Sequence, residues 1–360
     1  FKHYFHGVKN KLDKDGRDIG GVVGFLMGLR SLLVQKKYDR VFVFWDGFNS
    51  GKLRYDFYKP YKANRDKNFE STWEEYRQTL TPEQRSFYYQ LKIIRHILEE
   101  LSVRQFWHTF IEGDDLVAHY CLNKEDNEEI TIATKDRDYC QLITDDIKIY
   151  FLDLREVIGL NNFSNQFEHH VDNSLLIKII CGDDSDNVKG IKGVKEGTLL
   201  KHIPELRTRK LSFRDVFDRI KQIEAERVEA RKKPLIALKN IIDKVTKGKD
   251  EEGNDIDVVV KDLYMINNKL MNLKEPLLTE DCRIKFEKVV TSPISQEILN
   301  ERKIEKVYDT MQKLGIKEIM ENDKYVSYFL PFKELKDNDL ERFIEYTITL
   351  KNSSLSLIHI

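Results

Sequence analysis

Apolar runs along the chain predict strands and helices in alternation. Residues 41–45 form one uninterrupted apolar run and residues 130–134 form a second, and such runs are typical of strands buried in a parallel sheet. Residues 21–36 and 82–101 instead repeat their apolar side chains at helical spacing. Thr81-Pro82 introduces the second of these helices as a cap followed by a proline in the first turn. The pattern therefore predicts an α/β fold with a mainly parallel central sheet.

Acidic residues collect at the ends of these predicted elements. They are Asp46 after the first strand, Glu112, Asp114 and Asp115 at the start of a helix between the strands, and Asp136 and Asp138 after the second strand. The carboxyl ends of parallel strands form the edge at which α/β proteins bind their ligands. We therefore expect these carboxylates to lie close together.

Residues 182–194 combine carboxylates with glycine-framed turns that carry lysines. The carboxylates are Asp183 and Asp186, and the turns contain Lys189, Gly190, Lys192 and Gly193, with Lys195 just beyond them. Carboxylates bind hard cations, whereas glycine turns and helix N-termini present backbone N–H groups to phosphate. The segment therefore predicts both a metal ion and a nucleic-acid backbone, a pairing that suggests metal-dependent cleavage of DNA or RNA.

Convergence of so many carboxylates would require cations. Two carboxylates about 4 Å apart repel by roughly 4 kcal/mol at an effective dielectric constant of about 20. Oxygen-only ligands favour Mg²⁺ or Mn²⁺ over Zn²⁺. Each motif alone also has a purely structural interpretation, as a loop cap, a favourable charge at a helix N-terminus or a turn. The order of the motifs, rather than any single one, favours a metal site.

Overall composition does not exclude nucleic acid as a ligand. The 360 residues carry a formal net charge of −1, but residues 52–67 hold six basic side chains against two aspartates, and local charge decides such binding. No run of 18 apolar residues occurs, so no membrane span or membrane partner is expected. The four cysteines lack metal-binding spacing and no signal peptide is recognisable, which leads us to expect a cytoplasmic protein with reduced thiols.

Five ordered motifs resemble those of the 5′-nucleases, the family of flap endonucleases and of the 5′–3′ exonucleases of phages and bacterial DNA polymerases. They are Phe44-Trp45-Asp46-Gly47, Tyr61-Lys62-Ala63-Asn64-Arg65, Glu112-Gly113-Asp114-Asp115, Thr134-Lys135-Asp136-Arg137-Asp138 with Gln141-Leu142, and Gly182 through Val194. The resemblance covers roughly residues 1–205 and is greatest to phage-type enzymes. It implies a PIN-like α/β fold with a helical arch and a C-terminal helical DNA-binding extension.

The resemblance assigns roles to the residues at matching positions. It implies that a first metal ion is bound by Asp46, Glu112 and Asp114 with Asp115 beside them, and a second by Asp136, Asp138 and Asp186, with Asp183 acting through water. Lys62 and Arg65 match a basic pair at the base of the arch that contacts the scissile phosphate. Residues 187–200, which include Lys189, Gly190, Lys192, Gly193 and Lys195, resemble a helix–hairpin–helix-type segment that grips duplex backbone, often with bound K⁺.

The implied activity is structure-specific hydrolysis of phosphodiester bonds near the 5′ end of DNA, in replication or repair. Two Mg²⁺ ions, replaceable by Mn²⁺, would support it. The expected partners are DNA with a free 5′ end or flap, RNA–DNA primers and replication proteins. We expect a monomer, located in a bacterial host cell if the gene belongs to a phage.

Two other functions stay open at this point, and so does the balance between exonuclease and flap endonuclease activity. One is a PIN-type ribonuclease, whose acidic site is similar. The other is a structure-specific DNA-binding protein with impaired catalysis.

The resemblance also implies a division of the chain. We expect a nuclease domain at 1–170 with its arch at about 58–81, a DNA-binding region at 171–250 that completes the metal site and is helical over 212–247, and a mostly helical extension at 251–360. The family's first strand supplies a further Asp to the first metal, and no such strand precedes Phe1-Lys2-His3-Tyr4-Phe5. An N-terminal strand is therefore expected to be missing, and extension upstream of Phe1 is expected to restore activity.

Overall fold

The computed structural model describes residues 1–36, 38–65, 68–243, 245–249, 254–292, 304–316, 325–333 and 335. Its α-helices are α1 (Lys2–Gly7), α2 (Gly20–Gln35), α3 (Lys52–Phe57), α4 (Trp73–Gln78), α5 (Pro82–Glu100), α6 (Gly113–Leu122), α7 (Ser174–Cys181), α8 (Glu196–His202), α9 (Phe213–Glu229), α10 (Ile236–Ile242), α11 (Val260–Met271), α12 (Glu280–Thr291), α13 (Ile304–Leu314) and α14 (Tyr325–Lys333). Its strands are β1 (Phe42–Phe44), β2 (Arg104–Phe106), β3 (Ile130–Thr134), β4 (Ile147–Phe151), β5 (Glu156–Ile158), β6 (Gly182–Asp183), β7 (Val188–Lys189), β8 (Val245–Lys249) and β9 (Asp255–Val259). Within these ranges, no helix has the length and apolar character needed to cross a membrane.

Two compact units share the chain. The first contains Phe1–Trp45, Ser71–Trp107 and Thr279–Ile360, and the second contains Asp46–Glu70 and His108–Leu278. Each unit is thus assembled from separate stretches of sequence. The three regions expected from the sequence describe a division of roles along the chain, and that division stays a prediction.

Helix α5 organises the core of the first unit. The Thr81 hydroxyl accepts a hydrogen bond from the Gln84 N–H, and the Gln84 side chain accepts one from the Thr81 N–H, so the helix begins with a capping box. Its buried face contains Ile94, Ile97 and Leu98, each 0% exposed. The predicted cap and helix are confirmed, and the apolar stripe is core.

The remaining elements of the first unit pack around this face. Strands β1 and β2 pair in parallel, with Phe44 opposite Phe106. Helix α2 confirms the helix predicted at 21–36, and its Gly21 N–H donates a hydrogen bond of 2.8 Å to the Gln90 side chain of α5. Helices α13 and α14 complete the same core with Val307, Met311, Phe329 and Phe332.

The second unit contains a three-stranded sheet that is part parallel and part antiparallel. Strand β4 pairs in parallel with β3 and antiparallel with β5. Ile149 and Ile158 are fully buried between this sheet and its helices. Parallel pairs flanked by helices confirm the α/β class in both units. In the described residues β3 has a partner strand on one side, and the missing N-terminal strand stays a prediction.

Two glycines fold the chain back on itself after helix α7. Strands β6 and β7 pair antiparallel, with Gly182 opposite Lys189. Gly182 has a φ of +75°, and a Cβ on it would lie 2.1 Å from the Gly190 nitrogen. Only glycine fits this crossing. Asp183 ends β6 and Asp186 lies in the turn before β7, so the crossing fixes their positions.

The prediction that residues 212–247 are helical holds for α9 and α10 but is wrong between them and from Val245 onward. Helix α9 ends at Glu229 and α10 begins at Ile236, with Pro234 between them. Proline disfavours the interior of a helix because it lacks an N–H and clashes with the preceding turn. Strands β8 and β9 then form an antiparallel hairpin. Residues 250–253, between the two strands, lie outside the described residues.

The segment predicted to be an arch contains a short helix. Helix α4 begins with a capping box between Thr72 and Glu75. The Trp73 ring is 38% exposed and its centroid lies 5.3 Å from that of Tyr88. Trp73 is thus partly packed. Residues 66 and 67 lie outside the described residues, and the role of the segment as an arch stays a prediction.

Replacing Gly182 by alanine should destabilise the second unit. The added methyl group would meet the Gly190 backbone, and a φ of +75° is unfavourable for alanine, so we expect the free energy of unfolding to fall by about 1–3 kcal/mol. The matched control is Gly197→Ala in α8, where an added Cβ meets nothing within 4 Å. That change should leave stability unaltered or raise it by up to ~1 kcal/mol. Chemical denaturation measures both, and equal stability of the two variants would contradict the analysis.

Candidate metal centre

Asp46 and the start of helix α6 are joined directly. The Asp46 Oδ1 atom accepts a hydrogen bond of 2.9 Å from the Gly113 N–H. Glu112 precedes Gly113 in extended conformation, so α6 begins at Gly113 and carries Asp114 and Asp115 in its first turn. The positive end of a helix favours carboxylates there. The predicted meeting of a strand end with a helix start is therefore present at Asp46.

Glu112, Asp114 and Asp115 form a group with the spacing of a metal site. One oxygen from each of the three lies within 4.8 Å of those of the other two. Glu112 and Asp115 are 5% and 1% exposed, and Asp114 is half-buried. An oxygen-only donor set of this kind suits a hard divalent cation.

Arg54 compensates part of the buried negative charge. Its Nη1 atom donates hydrogen bonds of 2.8 Å to Glu112 and 2.5 Å to Asp115, and its Nη2 atom donates one of 2.9 Å to the other Asp115 oxygen. The Nε atom donates to the Leu270 carbonyl at 2.8 Å. Asp115 also accepts a hydrogen bond of 3.0 Å from the Leu277 N–H. Both Asp115 oxygens are therefore engaged by the protein itself.

Lys62 and Tyr61 link Glu112 to Asp186. The Lys62 ammonium donates to Glu112 Oε1 and lies 3.6 Å from Asp186 Oδ2. The Tyr61 hydroxyl lies 3.0 Å from Glu112 and 3.2 Å from Asp186. Lys62 is 8% exposed, and its backbone N–H donates to the Asp186 carbonyl at 2.8 Å. One predicted catalytic residue is thus held among predicted metal ligands.

These surroundings drive the pKa values of neighbouring carboxyls apart. Burial alone would raise the pKa of Glu112, but the charges of Arg54 and Lys62 outweigh burial and lower that pKa to about 2. Burial, with the negative charges of Glu112 and Asp115, raises the pKa of Asp114 well above its usual range. A divalent cation at this position would favour the ionised form of both.

Lys178 joins a second pair of carboxylates. Its ammonium donates to Asp138 and, at 2.8 Å, to Asp183. Asp183 also accepts hydrogen bonds from Ser185. Burial alone would raise the pKa of Asp183, but the contacts with Lys178 and Ser185 outweigh burial and lower that pKa to about 2. Burial, opposed by Lys178 and aided by Asp136, raises the pKa of Asp138 to about 6. The pKa values of Asp138 and Asp183 shift in opposite directions because the contact with Lys178 does not overcome the effect of burial on Asp138.

Asp186 contacts the side chains around Glu112, and its N–H also donates to Asp183 Oδ1 at 3.3 Å. Besides Lys62 and Tyr61, it contacts Arg65, whose Nη2 atom lies 2.5 Å from Asp186 Oδ1. Asp136 is exposed and accepts a hydrogen bond of 2.8 Å from the Asp138 N–H. Across the described ranges, the three predicted ligands of a second metal do not form one group at ligand spacing. Their assignment to that ion stays a prediction.

The lysine-bearing turns lie at the surface and are held by hydrogen bonds to α10 and to the β8–β9 hairpin. Lys192 and Lys195 are exposed and Lys189 is half-buried. The Asn240 side chain of α10 donates to the Lys192 carbonyl at 2.7 Å, and the Lys192 N–H donates to Thr246 in the hairpin at 3.4 Å. Gly193 has a φ of +76°. Lys195 lies 3.7 Å from Asp184, and both side chains are highly exposed. The surface of this segment therefore has exposed lysines with two exposed acidic neighbours, Asp184 and Glu196.

Sequence reasoning missed the structural roles of Arg54, Tyr61 and Lys178. Lys178 had a readable signal, because it is the single charged residue in the apolar stretch 175–181. Tyr61 begins the motif that contains Lys62 and Arg65, but the sequence predicted no role for the tyrosine itself. Arg54 had no local signal, since its partners lie at positions 112, 115 and 270.

The protein thus belongs to the α/β class, and its candidate site is a cluster of carboxylates surrounded by basic side chains. Residues 1–168 match the family described as 5′-3′ exonuclease, N-terminal resolvase-like domain. A 5′-3′ exonuclease of Mycoplasmopsis pulmonis is 26% identical over 291 residues, which cover 80% of this chain and 82% of that protein. A thermostable DNA polymerase I of Thermus caldophilus is 28% identical over 205 residues, but these are only 22% of the polymerase and 56% of this chain.

A solved structure shares the fold. It is the flap endonuclease D15 of bacteriophage T5 in a complex with DNA and metal ions, with a TM-score of 0.50, 19% identity and coverage of 82% of this chain and 91% of that one. Residues 1–168 thus match the 5′-3′ exonuclease family, and the chain shares the PIN-like α/β fold of that structure.

Removing the buried arginine should be costly. Arg54→Met would leave Glu112 and Asp115 buried without their partner, so we expect the free energy of unfolding at neutral pH to fall by about 3–5 kcal/mol. Adding Asp115→Asn should restore part of that loss, because one uncompensated charge is removed. Lys59→Met is the control, since the 3.5 Å ion pair of Lys59 with Asp56 is exposed and such pairs contribute at most ~1 kcal/mol. Chemical denaturation tests the set, and similar losses for Arg54→Met and Lys59→Met would refute the role of Arg54.

Proposed function

We propose that the protein is a structure-specific 5′-nuclease that hydrolyses phosphodiester bonds near the 5′ end of DNA. The observation that carries the proposal is the buried group of Glu112, Asp114 and Asp115 with Lys62 beside it. The match of residues 1–168 to the 5′-3′ exonuclease family and the fold shared with a flap endonuclease support it. Its substrates would be flaps and RNA–DNA primers in replication or repair, in the cytoplasm.

The metal cofactor we propose is Mg²⁺, with Mn²⁺ as a substitute. The carboxylate oxygens of Asp46, Glu112 and Asp114 would hold one ion, and Asp136, Asp138 and Asp186, with Asp183 nearby, would hold another. Such a pair of ions supplies a water nucleophile at neutral pH and stabilises the leaving oxygen. The turn segment 187–200 would take K⁺ while binding duplex backbone.

The protein's own cations have a separate task in this proposal. Lys62 is fixed by Glu112 and Asp186, and Arg65 reaches the same Asp186 from a more exposed position. Fixed positive charges stabilise negative charge that grows on phosphoryl oxygens. The proposed Lys189, Lys192 and Lys195 surface would hold the duplex by phosphate contacts, so binding should weaken as salt rises. We propose a monomer that meets replication proteins on the DNA.

The direct test is cleavage of a 5′-labelled DNA flap duplex with Mg²⁺, Mn²⁺ or EDTA. We expect metal-dependent cutting near the junction, abolished by EDTA and lowered by at least about 100-fold in Asp186→Ala. The matched control is Asp184→Ala, because that neighbouring side chain is exposed and contacts only Lys195 among the ion pairs of the described residues. Cutting that persists in EDTA, or equally in both variants, would contradict the proposal.

The same assay separates the two alternatives. Preferential cutting of an RNA strand of the same sequence would favour the PIN-type ribonuclease. Junction binding without cutting in any metal would favour the DNA-binding protein. Repeating the assay on a chain extended upstream of Phe1 tests whether the expected N-terminal strand raises activity.

A further inference from the structure

Arg95 is a half-buried cation held between two indole rings in the first unit. Its guanidinium carbon lies 4.1 Å from the centroid of Trp107 and 5.2 Å from that of Trp45. Its Nε atom is buried and has no hydrogen-bond partner among the described residues. No carboxylate of the described residues forms an ion pair with it, and Glu99, one helical turn away, is exposed. Its charge is therefore uncompensated.

The position of Arg95 is nevertheless fixed. The Gln105 side chain donates a hydrogen bond of 2.8 Å to the Arg95 backbone carbonyl and accepts one of 3.0 Å from the Trp45 indole N–H. Trp45 is 7% exposed and packs into the core. Strand β2 thus holds both the helix residue that carries the guanidinium and the inner indole. Because Arg95 is already held in place, its guanidinium would lose little conformational entropy on binding a ligand.

Charge around Arg95 favours an anion. Burial lowers the pKa of Arg95 to about 10, with a small opposing effect from Tyr88. The guanidinium is still charged at neutral pH. An approaching anion would offset the desolvation that no protein carboxylate offsets, so anion binding here stabilises the charge that burial disfavours.

The outer ring of the stack faces solvent at the edge where ligands bind. Trp107 is 46% exposed and follows β2 directly. Phe44 and Phe106 are opposite each other in the parallel ladder, so Trp45 and Trp107 leave the same edge of it. Asp46, a predicted metal ligand, is the next residue after Trp45.

We propose that Arg95 and Trp107 bind one nucleotide of a single-stranded nucleic acid, with the base stacked on Trp107 and the phosphate paired with Arg95. Every nucleotide offers an aromatic face and a phosphate anion together, which is the pairing these two side chains complement. A protein carboxylate would satisfy Arg95 but leave the exposed indole face without a partner. The inference rests on the proposed nuclease function and adds a contact for the unpaired strand.

The test is fluorescence anisotropy of a labelled single-stranded oligothymidylate, with a blunt duplex in parallel, both in EDTA. Trp107→Ala should weaken single-strand binding about tenfold, whereas Trp107→Phe should retain most of the affinity because a stacking face remains. Arg95→Gln should lower the slope of log affinity against log salt by about 0.7, the contribution of one phosphate on a single strand. Arg95→Lys should keep that slope, and duplex binding should not change in any variant.

Matched controls separate stacking from loss of structure. Leu154→Ala removes another partly exposed apolar side chain, 42% exposed, and should bind the oligonucleotide as the wild type does. Thermal melting of each variant establishes that it is folded. Single-strand affinity and salt slope that are unchanged in folded Trp107→Ala and Arg95→Gln, while the wild type cuts the flap duplex, would overturn this inference and leave the proposed function standing. A wild type that neither binds the oligonucleotide nor cuts the flap would overturn both.

Discussion

The interaction on which the second unit depends is the buried contact of Arg54 with Glu112 and Asp115. Taking two carboxylates out of water is unfavourable unless a cation and hydrogen bonds replace the lost hydration. Arg54 supplies three donated hydrogen bonds to them and a fourth to the Leu270 carbonyl. Lysine lacks the planar fork that makes this geometry possible. A single side chain therefore ties helix α3, the start of α6 and the end of α11 together.

This contact separates the carboxylates by function. Asp115 has both oxygens engaged by Arg54 and the Leu277 N–H, so we interpret it as the anchor of Arg54 rather than as a donor to an ion. Glu112 gives one oxygen to Arg54 and the other to Lys62. Lys62 bridges Glu112 and Asp186, and Lys178 bridges Asp138 and Asp183. Because an ammonium is a compact charge on a flexible stem, these lysines hold their carboxylates less rigidly than Arg54 does.

Features set by neighbouring residues were predictable from the sequence. The Thr81 cap, the helices at 21–36 and 82–101 and the strand at 130–134 depend on local periodicity and capping. The meeting of Asp46 with Gly113 followed from the shared edge of parallel strands. The pairing of Arg54 with Asp115 did not follow, because 60 residues separate them and periodicity carries no information on such partners. The break before α10 could be predicted from Pro234. The β8–β9 hairpin could not, because it depends on pairing between the two strands, and the apolar pattern predicted helix there.

A comparison of Arg54 with Arg95 shows that neighbouring carboxylates, rather than burial, decide whether an arginine has hydrogen-bond donors left for a ligand. Burial opposes the charge of both. In Arg54 the surrounding Asp115 and Glu112 outweigh burial and raise the pKa, and every donor nitrogen is engaged. In Arg95 burial prevails and lowers the pKa, because indole rings rather than carboxylates surround the guanidinium. Arg54 thus has four of its five N–H donors engaged in a site where it is 3% exposed. The Arg95 Nε atom, in contrast, has no hydrogen-bond partner among the described residues and lies beside an exposed aromatic face. The same side chain stabilises the fold in one place and remains available for recognition in the other.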